Sequence, residues 1–113
     1  MVTFEQGDVV RVPFPYTDRP VRQHRPALVV SNGGIGEEGK LLWVAMITSA
    51  ENRPWPGDVE IGAAYQDVGL PAPSVIRPVK IATIEASSAE KLGHMTAPIM
   101  SQVAEEIRKH LEQ

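Results

Sequence analysis

The chain has 113 residues, a formal net charge of −3 and no cysteine. That length fits one domain, residues 1–113, with one modest core, and the missing thiols exclude disulfide frameworks, thiolate zinc sites and cysteine nucleophiles. The acidic balance argues against a protein that coats nucleic acid through a general positive field, and no apolar run approaches a membrane span.

The opening "MVTFEQGD" lacks the basic start and apolar core of a signal peptide, so the expected compartment is the cytoplasm. Gly7 leads into "DVVRVPF", where Val10, Val12 and Phe14 alternate with Val9, Arg11 and Pro13. This is the two-residue period of a strand with one face on a core, expected over residues 8–14. "PYTDRPVRQHR" carries two prolines, an Asp and several charges, and reads as a flexible loop of about ten residues. Arg11, Arg19, Arg22 and Arg25 crowd this region with only Asp18 among them, so a local basic site survives the negative net charge.

"RPALVVS" reads as a second strand, with Pro26 tolerable at its first position because no ladder donor is needed there. "NGGIGEEGK" holds four glycines in nine residues and is a turn or mobile connection. "LLWVAMITS" is a continuous apolar run bounded by turn signals, the pattern of a central strand buried on both faces. "AENRPWPG" breaks it, and "DVEIG" is a short alternating strand. Beyond "LPAP", "SVIRPV" and "KIATIE" are both β-rich. Many short strands separated by Gly/Pro turns predict a mainly β fold, a small barrel or sandwich. From Thr96, a candidate N-cap, Ile99, Val103, Ile107 and Leu111 recur every four residues, with charges on the other faces. An amphipathic C-terminal helix packed on the sheet is expected.

His24, His94 and His110 are far apart in sequence and no HxH or HExxH occurs, so no metal or other cofactor is expected. No GxSxG elbow supports a serine hydrolase. Arg25 ends the long loop and begins a strand. It is either a surface arginine or an anion-binding group on a rigid base, where its planar fork of donors and fixed charge are useful. Thr48 and Ser49 close the apolar strand, and capping of the neighbouring backbone is the ordinary role of such hydroxyls. Arg77 fits the exposed partner of an alternating strand. Trp55 lies between Pro54 and Pro56 on a loop, where packing against the sheet outweighs base stacking.

The run "GDVVRVPFPYTD…HRPALVVSN", followed by "LLWVAMITSAE", "DVEI", "SVIRPVKIATIE" and a terminal helix, resembles the MazF/PemK (Kid) family of toxins from bacterial toxin–antitoxin systems. The resemblance implies an SH3-like β-barrel with a C-terminal helix, a homodimer, and metal-independent cleavage of single-stranded RNA. It also implies an antitoxin whose disordered tail folds over the active site. The family's catalytic arginine in the RP motif falls on Arg25 and its strand-end threonine on Thr48. His24 matches a histidine of some MazF members, and Arg77 matches an arginine that PemK-type members place on a later strand. This chain has Val79 where PemK-type members have an Asp, and Arg19 where they carry a histidine, so the carry-over of catalytic residues rests on Arg25 and Thr48. Arg22, His24, Ser49, Arg77 and Trp55 are candidate substrate-binding residues.

In such RNA cleavage the 2′-hydroxyl attacks its own phosphate. A site must then orient that hydroxyl, stabilise a phosphorane and protonate the leaving 5′-oxygen as the 2′-hydroxyl gives up its proton, with a 2′,3′-cyclic phosphate and a 5′-hydroxyl as products. The alternative is a non-catalytic module on the same barrel, either a CcdB-like gyrase-targeting toxin or an inactive RNA or peptide binder. CcdB-like toxins act through their C-terminal residues, with a Trp near the end, and "RKHLEQ" offers nothing similar.

Overall fold

The computed structural model describes residues 3–14 and 23–111. It contains six strands, β1 (Asp8–Phe14), β2 (Gln23–Val29), β3 (Leu41–Ser49), β4 (Val59–Glu60), β5 (Ser74–Glu85) and β6 (Glu90–His94), followed by one helix, α1 (Ala97–Leu111). The strands form one sheet in the order β4-β5-β3-β2-β1-β6, with every neighbouring pair antiparallel. It is a mainly β fold, a curled half-barrel closed on one side by the helix. The curl follows from the native twist of strands, sharpened by register shifts at Val9/Val10 and Ala45/Met46.

Strand alternation sends side chains to two apolar clusters. Val9, Leu28, Ala45, Ile47 and Ile76 point to the first, where Val103 of α1 is fully buried and Ile99, Met100 and Ile107 pack beside it. Val10, Val12, Ala27, Val29, Val44 and Met46 point the other way and pack with Phe4, Leu42 and Ile84. The sheet is therefore apolar on both sides, which corrects the one-faced reading of β1: Val9 and Val10 are both inaccessible. β3 is buried on both faces from Val44 to Thr48, as its unbroken apolar run predicts, but Trp43 is 51% exposed.

"SVIRPV" and "KIATIE" are one strand rather than two. Met46 pairs with Arg77 and the preceding Ala45 with Ile81, so Pro78, Val79 and Lys80 are extra residues bulged out of β5. A bulge is where a residue without an N–H can sit inside a sheet, and Pro78 occupies it.

The helix begins as its pattern predicts, with the Thr96 carbonyl accepting the Met100 N–H at 3.0 Å. Its last turn carries Arg108, Lys109 and His110, the sign of charge that suits a helix C-terminus. Leu111, the last of the four-residue series, is 76% exposed and lies past the edge of the core. No described helix is long and apolar enough to cross a membrane.

β6 has no strand-like alternation and escapes a sequence reading; it pairs with β1 and carries Gly93 in its middle. A Cβ on Gly93 would stand 2.4 Å from the Val68 carbonyl oxygen, and one on Gly69 would stand 2.3 Å from the Leu92 carbonyl oxygen. The two backbones can approach only because both lack side chains. Gly93→Ala is expected to cost about 2 kcal/mol by overpacking. A lower urea midpoint with an unchanged m-value is the expected reading, and an unchanged midpoint would contradict the close approach.

Candidate active site

The register of the sheet builds the site. Val12 on β1 pairs with Arg25 on β2, and Thr48 on β3 pairs with Val75 on β5, which pairs in turn with Glu60 on β4. β2 and β3 pair from Val29↔Val44 to Ala27↔Met46, where the pairing ends; carried two residues further, the same antiparallel register would set Arg25 opposite Thr48. Opposed residues on neighbouring strands have Cα atoms about 5 Å apart and point to the same face. Arg25 and Thr48 thus extend the row that continues Ala27 and Met46, on the face opposite the helix, at the end of the sheet where β2 starts and β3 stops.

The backbone at both positions is held by strand pairing, while Arg25 is only half-buried and Thr48 is buried beneath the turn that follows it. The Thr48 Oγ1 accepts a hydrogen bond of 2.6 Å from the Asn52 side-chain amide, which leaves its own O–H to donate. Ser49 has the ordinary role. Its Oγ accepts the Glu51 N–H at 3.2 Å and its carbonyl the Asn52 N–H at 3.1 Å, so it caps the turn. His24 is exposed, pairs with Pro13, and by alternation points to the face opposite Arg25. Arg22 and Arg19 lie outside the described residues.

Arg77 is not the exposed partner of an alternating strand: it is buried, 7% exposed. It lies in the next row, opposite Met46, on the same face as Thr48. Its Nε is 3.4 Å from Asp58 Oδ1, its Nη2 donates to the Arg53 carbonyl, and its guanidinium lies 4.3 Å from the centroid of the Trp55 ring. Trp55 itself is 39% exposed.

A second polar cluster, formed by residues 86 positions apart, has no sequence signal. Asp8 is inaccessible, and its Oδ1 lies 2.8 Å from Nδ1 of His94 and 3.4 Å from the Lys91 ammonium, while its Oδ2 accepts the Glu5 N–H at 2.9 Å. Burial alone would push the Asp8 carboxyl up; the hydrogen bonds from His94 and the Glu5 N–H, with the charge of Lys91, hold it below the usual carboxylate range. Glu5, Asp8 and His94 offer ligand atoms within 4.8 Å of one another, though the Lys91 ammonium already supplies positive charge at Asp8. This cluster sits four residues along β1 from Val12, roughly 13 Å from the Arg25 row at strand rise.

The fold is a six-stranded, mainly β half-barrel with one C-terminal helix. Residues 5–111 match the model of the PemK-like, MazF-like toxins of type II toxin–antitoxin systems, and the chain belongs to that family. A search of the curated proteins found no match. Among solved structures it is similar to MazF in the MazE–MazF complex of Deinococcus radiodurans, with a TM-score of 0.76, 22% identity, and 100% of this chain and 99% of that one covered. It is also similar to a mycobacterial endoribonuclease in complex with its cognate antitoxin, with a TM-score of 0.72, 20% identity, and 95% and 93% covered. The Mycobacterium tuberculosis toxin MazF-mt6 is similar at a TM-score of 0.66 and 22% identity, with 92% and 95% covered.

Proposed function

We propose that this chain is a single-domain, cytoplasmic endoribonuclease toxin that cleaves single-stranded RNA without a metal ion, leaving 2′,3′-cyclic phosphate and 5′-hydroxyl ends. The observation that carries this reading is that Arg25 on β2 and Thr48 on β3 fall on one face at one end of the sheet, each two residues beyond the last observed β2–β3 pair, Ala27↔Met46. Arginine, with a pKa above about 12, is a poor base, so the task that suits Arg25 is electrostatic. Its fork of N–H donors holds the phosphorane oxygens, and its charge offsets the negative charge that develops there. Thr48, whose oxygen already accepts from Asn52, donates a hydrogen bond through its O–H to a phosphate oxygen. Self-association into a homodimer and a cognate antitoxin whose tail covers this face complete the proposal. Its support is family membership, with relatives described as a MazE–MazF complex and as an endoribonuclease with its cognate antitoxin.

The test is incubation of the protein with a long single-stranded RNA in EDTA, with mapping of new 5′-hydroxyl ends. Discrete ends are expected. Cleavage that appears only when a divalent metal is added would refute the mechanism, and no cleavage under either condition would refute the nuclease. A second reading, a binder of RNA or peptide that does not cut, is favoured by one residue: Val79, at the position of the PemK-type Asp, is exposed and apolar on the β5 bulge. RNA binding without new ends would select it.

A further inference from the structure

We infer that Trp55 is a stacking platform for an RNA base beside the scissile phosphate, and that Arg77 is the positioning residue that holds it there rather than a group that touches phosphate. The inference rests on the nuclease reading for its substrate, but the geometry that carries it is independent of cleavage. Arg77 is directed into the protein: Asp58, the Arg53 carbonyl and the Trp55 ring occupy its guanidinium, and its side chain is 8% exposed. A guanidinium so engaged has little surface left for a phosphate. Nor does the ion pair have the form of a stability device. Arg77 Nε and Asp58 Oδ1 are both sheltered from water, and among the described residues neither makes a hydrogen bond, so desolvation offsets much of their attraction.

What the pair does is fix a loop. Carried one residue beyond Val59↔Ile76, the register of β4 and β5 sets Asp58 opposite Arg77. Asp58 Oδ2 then accepts the Trp55 N–H at 2.9 Å, and the Asp58 N–H returns a bond of 3.1 Å to the Trp55 carbonyl. Pro54 and Pro56 restrict the backbone on either side. Arg77 stacks on the indole and Lys80 Nζ lies 5.6 Å from its centroid, so the ring is positioned and carries positive charge beside it. Even so, the residue keeps 39% of its surface exposed. A rigid, half-exposed indole loses little entropy when a flat partner covers it, and every nucleobase has such a face. Arg77 and Thr48 are diagonal neighbours across β3 and β5, with Cα atoms about 7–8 Å apart, which puts the platform next to the reacting phosphate.

The experiment uses Trp43→Phe protein, in which Trp55 is the one remaining tryptophan. The probe is a 2′-O-methyl oligoribonucleotide, which binds but has no free nucleophile. Saturable quenching of Trp55 emission is expected. Arg77→Met and Asp58→Asn should each raise the oligonucleotide dissociation constant read by that quenching, and both of them and Trp55→Ala, which leaves no tryptophan to read, should raise KM on cleavable RNA, by about tenfold or more with kcat within twofold, given the stacking free energy of one base. Arg77→Lys, which keeps the charge but not the planar stack, should recover part of the loss and Trp55→Phe most of it. Trp55→Ala changes an exposed loop side chain, so it decides the matter even if an Arg77 variant fails to fold. Absence of quenching, or a fall in kcat at constant KM in Arg77→Met, would overturn the inference. Cleavage without quenching removes the platform and leaves the nuclease; quenching without cleavage does the reverse.

Discussion

Arg25→Ala is expected to lower the rate of the proposed RNA cleavage by about a thousandfold while the protein still folds, as for loss of a preorganised donor aimed at developing charge. The side chain is half-buried at the end of β2, outside both apolar clusters, so the thermal midpoint should move by only a few degrees. Arg25→Lys restores the charge but not the fork, and should recover only part of the rate. Thr48→Val keeps the shape of a β-branched side chain in a sheltered position and removes one donor; a loss of about tenfold to a hundredfold, smaller than that of Arg25, is expected. The measurement is single-turnover cleavage of one RNA, with circular dichroism on each variant. Arg25→Ala protein that keeps more than a tenth of the wild-type rate would remove the arginine from the mechanism.

The strands that carry the candidate site were legible because their patterns are local. β1 and β3 have their predicted bounds, and the hydroxyl at the end of β3 can be read as such; β2, expected over 25–31, instead runs Gln23–Val29, so Arg25 is its third residue and not its first, paired with Val12. That the two share one face at one end of the sheet is a matter of register, set by Ala27↔Met46 and by the apolar face those residues share, and no periodicity announces it. Arg77 was misread as exposed because alternation says which face a residue takes, not what covers that face; its cover is a loop that begins 24 residues earlier, at Arg53. β6 was missed because an edge strand of five residues containing Lys91 and Gly93 has no apolar period. Asp8 and His94 meet only because β6 returns beside β1, the longest-range pairing of the sheet.

That last pairing predicts an acid-sensitive fold. Asp8, on β1, is inaccessible and ties that strand to two other segments: the turn before β1 through the Glu5 N–H, and β6 through His94 and Lys91, with the Glu5 carboxylate also near. Asp8→Ala strands the Glu5 donor and removes the anchor of β6, at a cost of about 3 kcal/mol, a large part of the stability of a domain this size. Since the carboxyl titrates lower in the native state than in the unfolded chain, its contribution is complete above the ordinary Asp value of about 3.9 and drains away as pH falls through the lowered value. Urea midpoints measured from pH 6 down to pH 2 should therefore fall more steeply for the wild type than for Asp8→Asn, whose side chain has no proton to gain. Parallel curves for the two proteins would show that the charge of Asp8 does not hold β6 to β1.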